Sequence, residues 1–545
     1  MSREHSGSPG SRESGSALAR PRVRSATVAL CGFLALVLTA QPVSAHAGSL
    51  SGSLSSVQAP FWLVLVTGGG IVAASFLFAT LVTDHEVIRA VNDRRLVLPV
   101  GALRRLVPVV RVGGVAGLVA VVVVGLVGPS DPLVNLAVLT VWVGWWAGYT
   151  MSAYLVADSW PLVNPWRTLA SLLPSRDRPL PEALGAWPSV VGLLGLVWLE
   201  VVSPVGDSPT TLAVVVLGYT AATLAGAAVY GREWFEYVDP VSRVFRLYGL
   251  MAPVQRNDPT DTDTDTDRGT GERGGTPRGE TAHDGGVTLP DEQGDRDGSA
   301  RAAGADGRAD GAQVGRAEGD DSDDGGAETT SAPTLSLPGT ALARYPGAME
   351  ADDVAFVVAL LWATTYDGLV STPTWNGVVG ALGSVVPPLV THVLTVVAGF
   401  GLFYVVYRVS TLYVRETAET YVTTSFVAGW FAPALVPIAA GYHVAHFLGY
   451  FLSLAPAFLS VLSSPLSVPA SVTLITLPGW FGSLQLGFVV AGHLLAVWVA
   501  HARAFDLFPG RLQPIRSQYP FVVVMVVYTM TSLWVVAQPF TAPIT

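Results

Sequence analysis

The chain has no lysine and a single cysteine, and charged residues make up only 13% of its 545 positions. All 31 basic residues are therefore arginine. The one cysteine, Cys31, falls in an N-terminal targeting segment, so the mature chain is expected to carry no thiol. That excludes disulfides, thiolate metal sites and a cysteine nucleophile. No phosphate loop, dinucleotide fingerprint or Gly-x-Ser-x-Gly elbow is present, and nucleic acid is not expected as a partner. With hydrophobic residues at 50% and a mean hydropathy of +0.47, the chain has too little polar surface to cover itself as a soluble globule. The expected partner is the lipid bilayer.

The net charge of -10 is unevenly placed. Between Arg256 and Thr340 there are 20 acidic residues against 8 arginines, which leaves the rest of the chain close to +2. Tracts such as Asp261-Thr262-Asp263-Thr264-Asp265, beside the complete absence of lysine, fit a halophilic proteome; a GC-rich genome explains arginine for lysine nearly as well. The segment is rich in Gly, Asp, Thr and Ala and has no apolar periodicity. It reads as a disordered linker.

From Trp62 onwards the sequence is strung with long, nearly uncharged apolar stretches. About 20 apolar residues match the hydrocarbon core, and in lipid the backbone must satisfy itself as helix. Ten membrane helices are predicted, near 61–82, 112–128, 133–156, 187–203, 210–230, 353–370, 387–408, 425–452, 481–502 and 518–537. The fold class is all-α, a polytopic bundle in two halves of five. Ahead of it, Arg20, Arg22 and Arg24, the apolar run Ala26–Ala40 and Val43-Ser44-Ala45 have the three parts of a signal peptide, with cleavage leaving His46 first. The predicted organisation is a signal peptide over 1–45, a five-helix half over 46–253, the acidic linker over 254–345 and a second five-helix half over 346–545. Arginine recurs in every second loop, from Arg89–Arg111 to Arg503–Arg516, and is absent from the loops around 128–132, 203–209, 370–386 and 454–479. By the positive-inside rule this sets an extracytoplasmic mature N-terminus and a cytoplasmic linker in a plasma-membrane protein.

A few ionisable residues lie at membrane depth, where they are costly and ask for a function. Glu200 and Asp367 fall near the outer ends of the fourth and sixth spans. His392 is early in the seventh, His443 and His446 are three residues apart in the eighth, and His493 is near the middle of the ninth. His46 faces the same side. Imidazoles and carboxylates form the ligand set of zinc or copper, and a pair at i, i+3 can share one divalent metal ion. His443, His446, His493, His46 and His392 are thus candidate ligands, with Glu200 and Asp367 as base or further ligand. A lone intramembrane His is more often a helix-bonded structural group. His501 lies about 12 Å deeper than His493 and reads as interfacial; His85 and His283 read as solvated. Asp158–Thr168, with its two Trp-Pro and Pro-Trp pairs, reads as an interfacial anchor. Glu233–Gly249 reads as an amphipathic helix on the inner membrane surface.

Several motifs together resemble a prokaryotic, haloarchaeal-looking integral membrane family labelled fenitrothion hydrolase, or fenitrothion hydrolase membrane subunit. They are Asn164-Pro165-Trp166-Arg167, Trp198-Leu199-Glu200, Tyr366-Asp367-Gly368-Leu369 with Thr372-Pro373-Thr374-Trp375, and Val436-Pro437-Ile438 to Ala445-His446. They continue through Gly492-His493, Ala500-His501-Ala502-Arg503-Ala504 and Ser517-Gln518-Tyr519-Pro520 to Met525 and Tyr528-Thr529. The resemblance spans both helical halves and omits the linker. It implies hydrolysis of an organophosphate triester, and a second membrane subunit as a partner. Ala502 departs from the family pattern, in which an acidic residue follows the second His of that helix; this weakens a catalytic role for His501.

Three functions share these residues. One is a metal-dependent hydrolase of lipophilic esters, the metal activating water. Another is a copper- or other metal-handling membrane protein. The third is a proton-coupled transporter with Glu200, Asp367 and the histidines as relay groups.

Overall fold

The computed structural model describes residues 61–99, 103–203, 205–256 and 332–544. Over these residues the chain is a helical bundle. In order, its main apolar helices are α1 (Phe61–Ala79), α2 (Val107–Val127), α3 (Trp187–Val202), α4 (Pro209–Tyr230), α5 (Ala351–Val370), α6 (Pro388–Thr417), α7 (Val436–Leu462), α8 (Phe481–Leu507) and α9 (Leu512–Val536). Seven segments are long and apolar enough to cross a membrane, α7 counting with the turns before it as Thr424–Leu462; α1 and α3 are the shorter apolar ones.

The stretch expected as one span over 133–156 begins at Leu136 and runs as helix to Leu155, with a change of pitch inside it. A 3-10 turn, Pro132–Val134, leads to an α-helical turn, Leu136–Leu139, then a π-helical run, Thr140–Tyr149, and α-helix again over Thr150–Leu155. Asn135 fixes the start of the helix: its Oδ1 accepts from the backbone N–H of Ala137 at 2.8 Å and its Nδ2 donates to the Pro129 carbonyl at 2.7 Å. A side-chain cap here restarts the ladder. At the end of the π-run, the hydroxyl of the next residue, Thr150, donates to the Trp145 carbonyl at 3.2 Å. The wider turn accommodates Trp142, Trp145, Trp146 and Tyr149 in a single ten-residue run. A 3-10 turn, Ala432–Leu435, precedes α7. Pro433 and Pro437 remove donors there, so a regular α-helical ladder cannot run through.

Helix α5 is the axis of the bundle: 83% of its most apolar window is buried, against 17% for α2 and α6. Its sequence explains this, because Val354–Ala363 is apolar on every face, and such a helix belongs inside. Asp352 and Asp353 in its first turn suit the positive end of the helix dipole.

A small sheet, absent from the sequence expectation, lies at the arginine-bearing end. Strand β1 (Arg95–Val97) pairs antiparallel with β3 (Thr334–Ser336), which pairs with β2 (Val254–Gln255). Residues 254–256 and 332–345, assigned above to the linker, are thus structured ends held to the bundle; 257–331 lie outside the described residues.

Two surface expectations are corrected. The helix Pro240–Gly249 turns its apolar side into the protein rather than presenting it to lipid, with Arg243, Val244, Phe245 and Tyr248 buried. Arg243 donates to Asp353 at 2.5 Å and to the Glu236 carbonyl at 2.8 Å, which makes burial of its charge tolerable. Likewise Trp160 and Trp166 turn inward rather than to headgroups. Trp160 stacks on Phe245 at 4.3 Å, and Trp166 donates to the Thr220 hydroxyl at 2.9 Å.

Candidate functional site

Asp367 sits on the last turn of α5, where Ser371, Thr372 and Pro373 end the helix and start the next one, Pro373–Leu382. Its neighbour Gly368 leaves room for the hydroxyl of Tyr442; a Cβ there would lie 1.8 Å from that oxygen. The Tyr442 side chain of α7 therefore packs against α5 beside the carboxylate. One turn beyond Tyr442, His446 approaches with Nε2 at 3.3 Å from Asp367 Oδ2. Glu200, on the last turn of α3, is buried within electrostatic reach of Asp367, and its Oε1 has no hydrogen-bond partner on the protein. The structure thus brings Asp367, His446 and Glu200 together.

The remaining histidines are directed elsewhere. His443 lies next to His446 along α7 but on an adjoining face, where its Nδ1 meets the Tyr154 hydroxyl at 3.0 Å and Trp146 packs edge-on against its ring. His493 Nδ1 bonds back along its own helix to the Val489 carbonyl at 2.9 Å. His392 uses both ring nitrogens, one at 3.0 Å from the Tyr366 hydroxyl and the other at 2.9 Å from the Ile544 carbonyl. A neutral imidazole satisfies that arrangement, accepting from Tyr366 and donating to the carbonyl. The proposed terminal ligand His46 lies outside the described residues.

Among the described residues, no three His, Cys, Asp or Glu side chains are grouped so as to hold an ion. His443, His446 and His493, expected to share a zinc or copper ion, do not form such a group here, and the Nε2 atoms of His443 and His493 are buried without a hydrogen-bond partner. His392 does not fit either, both its nitrogens being engaged. What the cluster can do chemically is exchange protons: a carboxylate orients an imidazole, and a second buried carboxyl stands nearby.

Other histidines have structural partners. His501 Nε2 is 2.9 Å from the Val82 carbonyl and its Nδ1 3.3 Å from Gln518 Oε1, so it joins α8 to the end of α1 and to α9. His85, expected to be solvated, has Nδ1 at 2.8 Å from the Phe505 carbonyl and Nε2 at 2.9 Å from that of Gly510. His283 lies outside the described residues.

Sequence reading missed the polar groups that extend the site. Tyr442, His446, Tyr450 and Ser453 recur on α7 at i, i+4, i+8 and i+11, a spacing that keeps them on one side of a helix. The hydroxyls of Tyr442, Tyr450 and Ser453 are buried without a hydrogen-bond partner. That spacing was the available signal.

The geometry defines a helical membrane-bundle protein with a carboxylate–imidazole site inside the bundle. No family model, no curated protein and no solved structure matches the chain.

Proposed function

We propose that this chain is a proton-coupled membrane transporter whose exchange site is the Asp367–His446 pair, with Glu200 as the second carboxyl. The observation that carries this reading is the 3.3 Å contact of His446 Nε2 with Asp367 Oδ2 inside an apolar bundle. A buried carboxyl that can take a proton or share one with an imidazole is the usual device of intramembrane proton relays. The π-helical run Thr140–Tyr149 and the 3-10 turn before α7 add support, since such irregular turns are frequent at functional sites.

In this reading the protein crosses the plasma membrane ten times, with α1–α9 and the helical segment 136–155 as spans. The arginine-bearing loops and the linker are cytoplasmic, and the chain starts at His46 after removal of its signal peptide.

The test is proton movement in proteoliposomes with an entrapped pH dye and an imposed pH gradient. A panel of amino acids, carboxylates, divalent cations and phosphate esters is supplied in turn. The wild type should move protons with at least one of these solutes, and Asp367→Asn should not. Proton movement with none of them, or equal movement by Asp367→Asn, overturns the proposal.

A second reading uses the same pair. An imidazole oriented by a carboxylate is also a general base for water, and the resemblance to the fenitrothion hydrolase family implies a lipophilic phosphotriester as substrate. Turnover of such an ester by the wild type, lost in His446→Ala, would favour hydrolysis over transport.

A further inference from the structure

We infer that the polar side of α7 holds a file of bound water that connects the Asp367–His446 pair to the end of the bundle around Asp207; this rests on the proton-exchange reading above. Tyr442, His446, Tyr450 and Ser453 lie within an arc of about 80° and along about 16 Å of one helix. Each of the four carries a polar head, and none of the three hydroxyls finds a partner on the protein. Tyr442, Tyr450 and Ser453 are 2%, 4% and 4% exposed, so bulk solvent does not satisfy them.

Buried polar groups are almost always hydrogen-bonded, and an orphaned one costs about 1–3 kcal/mol. Unpartnered buried groups occur elsewhere in the bundle as well, but three of them share this one helix face, and Glu200 Oε1 is another. Tyr450 lies within electrostatic reach of both Glu200 and Asp207, which joins the line to the loop before α4. At its other end Tyr442 reaches the Gly368 backbone next to Asp367. Ser453 is the last of the four towards the loop before α8, its carbonyl accepting from the N–H of Ile475 there at 3.0 Å. Water suits these groups because each hydroxyl can donate to one molecule and accept from the next, and such a chain passes protons without moving a side chain far.

The closing experiment is hydroxyl-radical footprinting of the full chain in lipid nanodiscs, in which bound water beside a side chain is the source of the radical. Two internal controls exist. Tyr421 is 98% exposed, whereas Tyr407 is 4% exposed and its hydroxyl is bonded to the Ala428 carbonyl at 2.6 Å. Tyr442 and Tyr450 should label like Tyr421; labelling as slow as that of Tyr407 overturns the water file. Tyr450→Phe, which removes an unpartnered hydroxyl, should keep the fold and slow proton delivery to the site several-fold; an unchanged rate overturns the file's role in conduction. The two proposals fail separately. Fast labelling without solute-coupled proton movement defeats the transporter reading alone, and protected tyrosines in a protein that does move protons defeat the file alone.

Discussion

Gly441 of α7 and Gly492 of α8 meet backbone to backbone. A Cβ on Gly441 would stand 2.7 Å from the Cα of Gly492, and one on Gly492 would stand 2.5 Å from the Pro437 carbonyl oxygen. Neither neighbour is the flexible end of a side chain, so the backbones themselves would have to separate. In membranes such small-residue contacts let helices approach and pack without a hydrophobic driving force.

Gly441→Ala and Gly492→Ala should therefore each destabilise the bundle by about 1–3 kcal/mol, as overpacking does. The check is thermal unfolding in detergent. Gly487→Ala on the same helix is the control, because nothing lies within 4 Å of a Cβ at that position. Equal melting of all three variants and the wild type would show that the helices do not cross at this pair.

Much of this fold is legible in the sequence, for reasons that also mark where reading stops. Length and lack of charge alone identify α2, α4, α5, α6, α8 and α9, because lipid leaves an apolar run no other structure. The π-helical run inside 136–155 is invisible in hydropathy, since a π-turn and an α-turn have the same composition. Trp160 and Trp166 look like headgroup anchors because a buried Trp and an interfacial one can have the same neighbours in sequence. At the site, depth in the sequence places Asp367, His446 and Glu200 in one candidate cluster, but it does not show which histidines turn away from that cluster. Three residues turn a helix by about 300°, leaving His443 and His446 some 60° apart. That angle is enough to direct one ring to Tyr154 and the other to Asp367.

A pH limb of stability is expected from Asp158, in the turn after the helical segment 136–155 and against Gly249. Burial pushes its carboxyl up to about 6, with Arg256 opposing, whereas an unfolded Asp titrates near ~3.9. The folded state therefore holds this proton more tightly than the unfolded one. Its contribution is fully favourable below about pH 4, declines as pH rises to about 6 and is flat above that. The side chain keeps some contact with solvent, so the loss should be about 1–2 kcal/mol rather than the full value of a two-unit difference. Melting temperatures across this range should fall in the wild type and stay level in Asp158→Asn through the same interval. A parallel fall in both proteins would assign the limb to another group.

The orientation proposed from the arginines can be tested at the linker. A cytoplasmic linker should resist protease added to sealed cells and be cut once the membrane is opened. Cleavage between Arg268 and Arg316 from outside would invert the topology, and with it the side to which Glu200 and Asp367 are assigned. N-terminal sequencing that begins at His46 would complete the assignment.

Arg503 should prove the strongest single tie between the post-linker segment and the bundle. It is 1% exposed on α8, and its guanidinium donates to the carbonyls of Tyr345 at 2.8 Å, Gly347 at 2.7 Å and Leu342 at 3.4 Å. Its Nε donates to the Trp430 carbonyl, while the Trp430 indole N–H returns a bond to the Arg503 carbonyl at 2.8 Å and the ring lies 4.3 Å below the guanidinium carbon. The planar fork matches several carbonyls at once, and a lysine ammonium cannot reproduce it. Bonds from a charged donor are worth about 1.5–3 kcal/mol each, and the carbonyls left behind would be buried. Arg503→Ala should cost upwards of about 2 kcal/mol, and Arg503→Lys should recover only part of the loss. Limited proteolysis supplies a local readout: in both variants the stretch from Thr340 to Gly347 should become susceptible before any of the apolar helices. If melting and cleavage in Arg503→Ala matched the wild type, the segment would have to be anchored through β3 and its strand partners instead.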